Sequence, residues 1–403
     1  MDITCIYGTG PVSSGSARSV PRLLAQLLEG LSARQPDWSF HVLCPGGGTS
    51  NGLVFEDIHL NRTEHILRRL RGSQITDKQL WVRKAISSFN RIGGSPGVIV
   101  CATVDAVITT RQLMPEAKIV YWIHSHPGYS GLDGDRQTLR AAECADMVVV
   151  PSKAMYLALW ELYIGRGFPA PVRVIPNWVD TTLFCLPSAD EKTQWRNKFG
   201  IASDEFAIAH IGGSDNPRKG LRIVEHALLF SPPKKKVVML SVGGNTPKRR
   251  KVADGLEIVD LGLVPPTKVA RVFQACDLGV VPSVSFECFG LAAIEMMASG
   301  LCVVSSGTGG LKEVVQPKIT GLQVDLPNEI EAWAGALERC MADPQLRIHL
   351  GQGGRDKVVR EFDGRQSMLK WQHLLGTIVR HKNVSSSGYD AKRTNQDTIP
   401  NRE

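Results

Sequence analysis

Two carboxylates eight positions apart, Glu287 and Glu295, carry the clearest chemical signal in the sequence, with Phe289-Gly290 between them. The apolar run Leu278-Gly-Val-Val-Pro282 before them predicts a buried strand that ends in a loop. Met296-Met-Ala-Ser-Gly300 after them reads as a helix end with glycine past its last turn. Leu301-Cys-Val-Val-Ser305 is then the next strand and Thr308-Gly-Gly310 the next loop. This order puts Glu287 at the carboxyl end of a strand, where open α/β sheets bind ligands. Gly290 would open the helix, and the free amides at that end suit a phosphate. A carboxylate in the preceding loop can accept hydrogen bonds from sugar hydroxyls. One just over a turn into the helix can reach the vicinal hydroxyls of a ribose. Glu295 stands among Leu291, Ala292, Ala293, Ile294, Met296 and Met297. A carboxylate in so apolar a helix is costly without a partner.

Other strand ends offer further candidates. Ile3–Tyr7 predicts a first strand, Gly8-Thr-Gly-Pro-Val-Ser-Ser-Gly15 a glycine loop and Arg18–Leu31 an amphipathic helix. Two familiar phosphate motifs fail there. A P-loop needs Lys-Ser/Thr where Ser16-Ala17 stand, and a dinucleotide fingerprint needs glycine where Ser13 stands. The second strand, Ser39–Cys44, ends without an acid to hold a ribose. What survives is a loop able to approach a phosphate closely. Lys118–Ile123 predicts a strand followed at once by His124, with His126 two residues on. The two histidines make only part of a metal site, since no cysteine or carboxylate adjoins them. Asp133-Gly-Asp135 follows a polar loop rather than an apolar strand, so it reads as a loop and helix start, not a metal-binding triplet. A second glycine loop, Gly212–Gly220, ends in Arg218-Lys219-Gly220.

The stretch Glu287–Val314 resembles the signature of family-4 retaining glycosyltransferases. The matching residues are Glu287, Phe289-Gly290, Glu295, Gly300, Val303-Val304, Gly309-Gly310 and Glu313-Val314. Pro176-Asn177-Trp178-Val179-Asp180 resembles that family's interdomain hinge, with Trp178 in place of glycine. Lys219-Gly220 matches its diphosphate loop, where Gly213 replaces the usual arginine and Arg218 is the candidate stand-in. The resemblance implies roles. Lys219, Arg218, Gly15, Phe289 and Gly290 would face the donor diphosphate. His124, Glu287 and Lys219 would form the catalytic group, with Glu287 on the sugar. Glu295 would hold the ribose, and the backbone of Leu261-Gly262 would lie by the base. It also implies no cofactor and no metal. The donor would be a UDP-, GDP- or ADP-sugar and the acceptor a sugar, glycolipid or small molecule. A nucleotide-sugar epimerase and a non-catalytic nucleotide-sugar or polyanion binder remain open alternatives.

The elements that must position these residues alternate strand and helix throughout, which predicts parallel sheets. The expected fold is α/β: two facing doubly wound Rossmann-like domains, the GT-B architecture. The first covers 1–174 on the acceptor side and the second 175–364 on the nucleotide-sugar side. A helix over 365–381 crosses back onto the first domain, and 382–403 forms a polar, disordered tail. At 403 residues the chain exceeds one ordinary core. No apolar run reaches membrane-spanning length, and nine scattered cysteines without a Cys-x-x-Cys pair suggest reduced thiols and a cytoplasmic setting. The net charge of +8 is shared between the halves. Basic runs at Arg68–Arg71, Lys234–Lys236 and Lys248–Lys251 lack the aromatic neighbours that nucleic-acid stacking needs. The basic segment 62–91, read as helical, is compatible with an anionic acceptor or peripheral contact with a membrane surface.

Overall fold

The computed structural model describes residues 1–8, 12–13, 15–46, 53–58, 60, 76–91, 97–126, 131–165 and 167–384. The first sheet contains β1 (Asp2–Ile6), β2 (Ser39–Cys44), β3 (Val54–Asp57), β4 (Val98–Cys101), β5 (Lys118–Trp122), β6 (Met147–Val150) and β7 (Val172–Val174). Their order is β3-β2-β1-β4-β5-β6-β7, and every pairing is parallel. The second contains β8 (Phe206–Ile211), β9 (Val237–Val242), β10 (Lys248–Ala253), β11 (Leu256–Asp260), β12 (Leu278–Val281), β13 (Val303–Ser305) and β14 (Leu322–Gln323). Their order is β10-β11-β9-β8-β12-β13-β14. Helices cover both faces of each sheet. Strands β4, β9 and β12 are accordingly buried at every position.

Strand β10 departs from the expected parallel pattern. It is an antiparallel edge strand built from the basic run Lys248–Lys251. Three of its four cations are paired: Arg249 with Glu257, Arg250 with Glu225 and Lys251 with Asp254. A charged row of this kind blunts a sheet edge. The Asp133–Asp135 triplet also differs from expectation, lying within a helix, Gly131–Glu143, rather than in a loop before it.

Strand order reverses beside β1 in the first sheet and beside β8 in the second. Ligands of doubly wound sheets settle at such points, outside the carboxyl ends of the strands. The loops after β8 and β12, neighbours in the second sheet, carry Lys219 and Glu287.

The chain passes between the two sheets near Pro176–Val179 and returns through the helix Gly364–Val384. Val179 bridges to Asp363 where the passages meet, and the Thr181 hydroxyl donates to Asp363 at 2.6 Å. Met368, Trp371, Leu374, Leu375 and Ile378 of the returning helix join the core formed by Leu23, Leu24, Leu27 and β1. Trp178 has a packing reason to replace glycine. It is buried, stacks on Trp122 at 5.8 Å between ring centroids and lies against Gly364. The returning helix runs to Val384, so residues 382–384 are helical rather than part of a tail. The expectation for 385–403 lies outside the described residues, as does the part of the 62–91 reading that falls on 62–75; Asp77–Arg91 is helical.

Candidate functional site

A cavity of about 370 Å³ lies between the two domains. From the first domain it is lined by Ala17, Ser19, Val20 and Arg22, by His124 to His126, and by Asn177 of the crossing segment. From the second come Lys219, Leu263-Val264, the stretch Phe286–Ala292, and Glu295.

Glu287 sits on the loop after β12 and is held from several directions. Its side chain pairs with Lys219 Nζ and accepts from the Ser283 hydroxyl at 2.7 Å. Its backbone oxygen accepts from Gly310 N at 2.7 Å. Gly309 passes so close that a Cβ there would fall 2.3 Å from that same oxygen. Glycine in the second loop is therefore a steric condition for placing the carboxylate. The first domain also grips this loop, because the Ser152 hydroxyl donates to Cys288 O at 2.6 Å.

Gly290 caps the helix Leu291–Ala298 with φ of 110°, and the amides of Ala293 and Ile294 both turn onto its carbonyl. The first amides of that helix are left over by its geometry, and Leu291 and Ala292 face the cavity. Phe289 lines the cavity too, but its ring is buried edge-on against Phe362 at 5.3 Å and serves the core.

Glu295, five residues into that helix, has the partner its apolar surroundings demand. It pairs with Arg22 from the first-domain helix Ser19–Arg34. Only 6% of Glu295 and 8% of Arg22 is exposed. Burial pushes the Glu295 carboxyl above its ordinary pKa, and Arg22 opposes that shift. Nothing in the sequence pattern marks Arg22. Its signal, a lone cation on the apolar face of an amphipathic helix, is visible only in retrospect.

His124 is partly buried at the cavity wall, with its ring 4.3 Å from that of Trp122, and desolvation lowers its pKa to about 3. The ring is therefore neutral near pH 7. Its Nε2 and the Oδ1 of Asn177 are both buried without a protein partner, and both residues line the cavity. Buried polar atoms left in this way are costly unless something arrives to pair with them. Asn177 is the second site residue the sequence reading passed over. His126 lies tilted against Phe286, with 4.2 Å between ring centroids, at the cavity wall.

Several expected ligands lie elsewhere. Gly15 is exposed and does not line the cavity; Ala17 and Ser19 take that place. Arg218 is exposed beyond the lining on a short 3₁₀ turn, Pro217–Lys219, which points its neighbour Lys219 inward. Leu261 and Gly262 stop short, and Leu263 and Val264 reach the cavity instead. Position 213 is closed to arginine: Gly213 has φ of 72°, and a Cβ would meet Gly244 Cα at 2.3 Å.

A further contact spans the domains. The Glu313 carboxylate accepts from the backbone amides of Lys153 at 3.0 Å and Ala154 at 2.6 Å. These are the first two amides of the first-domain helix Lys153–Leu162, and the Ser152 hydroxyl accepts from the third, Met155 N, at 3.0 Å. A second-domain acid thus completes a first-domain helix cap, placing negative charge where the helix dipole is positive. Among the described residues no three metal-ligating side chains converge, and no helix is long and apolar enough to cross a membrane.

Residues 205–343 match the family model described as "Glycosyl transferases group 1". Curated relatives include alpha-maltose-1-phosphate synthase of Mycolicibacterium smegmatis, 27% identical over 264 residues, which are 61% of this chain and 65% of that protein. D-inositol 3-phosphate glycosyltransferase of Corynebacterium jeikeium is 31% identical over 260 residues, 58% of this chain and 61% of that protein. The chain thus spans less than two thirds of the length of these relatives. Similar solved structures include sucrose-phosphate synthase from Thermosynechococcus elongatus, with a TM-score of 0.73 and 22% identity over 96% of this chain and 100% of that one. Anabaena HepE in complex with UDP and glucose gives 0.73 and 19%, covering 93% and 99%. At these identities the structures establish the fold, two facing Rossmann-like domains of the GT-B type. The sequence likeness to group 1 glycosyl transferases is centred on the second domain.

Proposed function

We propose that this chain is a retaining glycosyltransferase that moves a sugar from a nucleoside diphosphate-sugar to an acceptor hydroxyl without a metal. The observation that carries the reading is one interdomain cavity at two strand-order switch points, lined by two glutamate–cation pairs, Glu287–Lys219 and Glu295–Arg22. The helix start at Gly290 lies between the two glutamates. Carboxylates suit the hydroxyls of the transferred sugar and of the ribose. Cations and helix amides suit the diphosphate that joins them. The Glu-to-Glu motif, the group 1 match and the likeness to nucleotide-sugar enzymes support the same assignment.

Breaking the donor bond builds positive charge on the sugar ring and negative charge on the departing diphosphate. Lys219 and the amides beginning the helix Leu291–Ala298 would stabilise the latter, fixed in place before reaction. Glu287 would hold and orient sugar hydroxyls through the oxygen not engaged by Lys219 and Ser283. We assign it no nucleophilic role. His124, neutral by burial, would offer Nε2 to a sugar hydroxyl beside Asn177 Oδ1. The donor would carry uridine, guanosine or adenosine, and the acceptor would be a sugar, a glycolipid or a small molecule.

The test is incubation of the purified chain with UDP-, GDP- and ADP-sugars, with and without a panel of acceptors, reading nucleoside diphosphate release. Acceptor-dependent release from one donor is expected, and added chelator should not change it. Donor consumption without any acceptor would indicate epimerisation instead. Nucleotide binding without turnover would reduce the site to a binding module.

A further inference from the structure

A diphosphate with two negative charges calls for more than one cation in a site of this kind, and the usual second one is missing. Position 213 cannot carry a side chain, because its Cβ would overlap Gly244. Arg218 lies outside the cavity lining. Among the described residues, the lysines and arginines that do line it are Lys219, from the second domain, and Arg22, from the first. Each is paired with one of the two glutamates assigned above to hydroxyl groups.

We infer that Arg22 supplies the second diphosphate-binding cation in this chain, reaching the donor from the opposite domain. This rests on the reading of the cavity as a nucleotide-sugar site. The guanidinium contacts Glu295 through Nη2, whereas an arginine carries five N–H donors in a fork that fits phosphate oxygens. The geometry therefore allows an exchange of partners. With the cavity empty, each cation neutralises a glutamate. When a nucleotide sugar enters, its hydroxyls take hydrogen bonds from the carboxylates, and both cations turn toward the diphosphate between them. No bond is made or broken in this exchange. Because Arg22 sits on the first-domain helix Ser19–Arg34, its contact with the diphosphate depends on the two domains facing each other closely. Donor binding and closure of the cleft would then be a single event.

A purely structural latch would also pair Arg22 with Glu295, so the test separates the two by ligand. Calorimetric affinities are measured for whichever of UDP, GDP and ADP the wild type binds, and for the matching nucleoside without phosphates. Arg22→Gln should weaken the nucleoside diphosphate at least tenfold while moving the nucleoside by less than threefold. Arg22→Lys, which keeps the charge, should recover most of the loss. The double variant Arg22→Gln/Glu295→Gln removes both charges together and guards against misfolding from an unpaired buried glutamate; it should still favour nucleoside over diphosphate relative to wild type. An unchanged ratio of diphosphate to nucleoside affinity in these variants overturns the assignment of Arg22 alone. Wild-type protein that binds none of the three diphosphates overturns the reading of the cavity itself.

Discussion

The two walls of the cleft are built on different principles. The second-domain wall is a set of short loops packed against each other's backbone. Gly309 abuts the Glu287 carbonyl, Gly213 abuts Gly244, and Gly310 abuts Phe289. Its chemical residues come in short stretches, Lys219-Gly220 and Glu287 to Glu295. The first-domain wall contributes single residues from regular elements: Arg22 within a helix, His124 just past a strand, Ser152 and the amides of Lys153 and Ala154 at a helix start. Backbone packing fixes one wall in advance. The other reaches in with side chains and a helix end. The difference implies that damage to the second wall destroys the site, whereas damage to the first weakens its engagement.

The comparison breaks first at Gly309. A methyl group there would force the Glu287 carbonyl to move by about an ångström, and a misplacement of that size costs roughly 100-fold in rate. Gly309→Ala should therefore lose about two orders of magnitude in transfer while remaining folded. Gly335→Ala, at a helical glycine with nothing within 4 Å of the added carbon, serves as the control and should leave transfer unchanged. Equal rates for the two variants would mean that backbone packing does not set the position of Glu287.

A smaller effect is expected from the opposite direction at Glu313. Its two hydrogen bonds cap a helix of the other domain, and a cap of this kind contributes on the order of 1 kcal/mol. Glu313→Ala should lower kcat/KM about fivefold, with an unchanged melting temperature for the second domain in thermal scans of the full chain. A loss as deep as that of Gly309→Ala would erase the proposed distinction between the walls.

His124 gives a further signature, in the pH dependence of stability, separate from its proposed contact with the sugar. Its folded pKa of about 3 lies below the unfolded value of about 6.5. Neutral His124 thus contributes stability above about pH 6.5, and that contribution declines as pH falls toward 3. Between pH 7 and pH 5 this one group should cost about 2 kcal/mol. Urea unfolding of His124→Gln should show a drop over that interval smaller by this amount. An identical drop would place the ring in contact with water.

The same contrast explains what was legible in the sequence. Parallel doubly wound sheets follow from buried apolar runs alternating with amphipathic helices, and strands such as Val98–Cys101 and Leu278–Val281 announced themselves in that way. Lys219, Glu287 and Glu295 were legible because close-packed loops demand glycines at fixed spacing around them. The short strand β3 was not, since four residues carry too little periodicity. The antiparallel strand β10 was hidden because its basic run resembles a solvated surface. Arg22 and Asn177 escaped because their significance depends on what the other domain places opposite them, and no local pattern records a contact over 273 positions of sequence. Gly15 and Arg218 show the converse. They occupy the expected stretches of sequence, but the chain turns their neighbours Ala17, Ser19 and Lys219 toward the cavity.

The central claim is the division of labour between the two glutamates, with Glu287 on the transferred sugar and Glu295 on the nucleoside. It is tested most directly by measuring transfer rate and nucleoside diphosphate affinity on the same preparation of Glu287→Ala. The account predicts that transfer falls by at least about 100-fold, the scale of losing one preorganised contact to the reacting sugar, while nucleotide affinity stays within threefold of wild type. Transfer at the wild-type rate, or a loss explained wholly by weaker nucleotide binding, would contradict it.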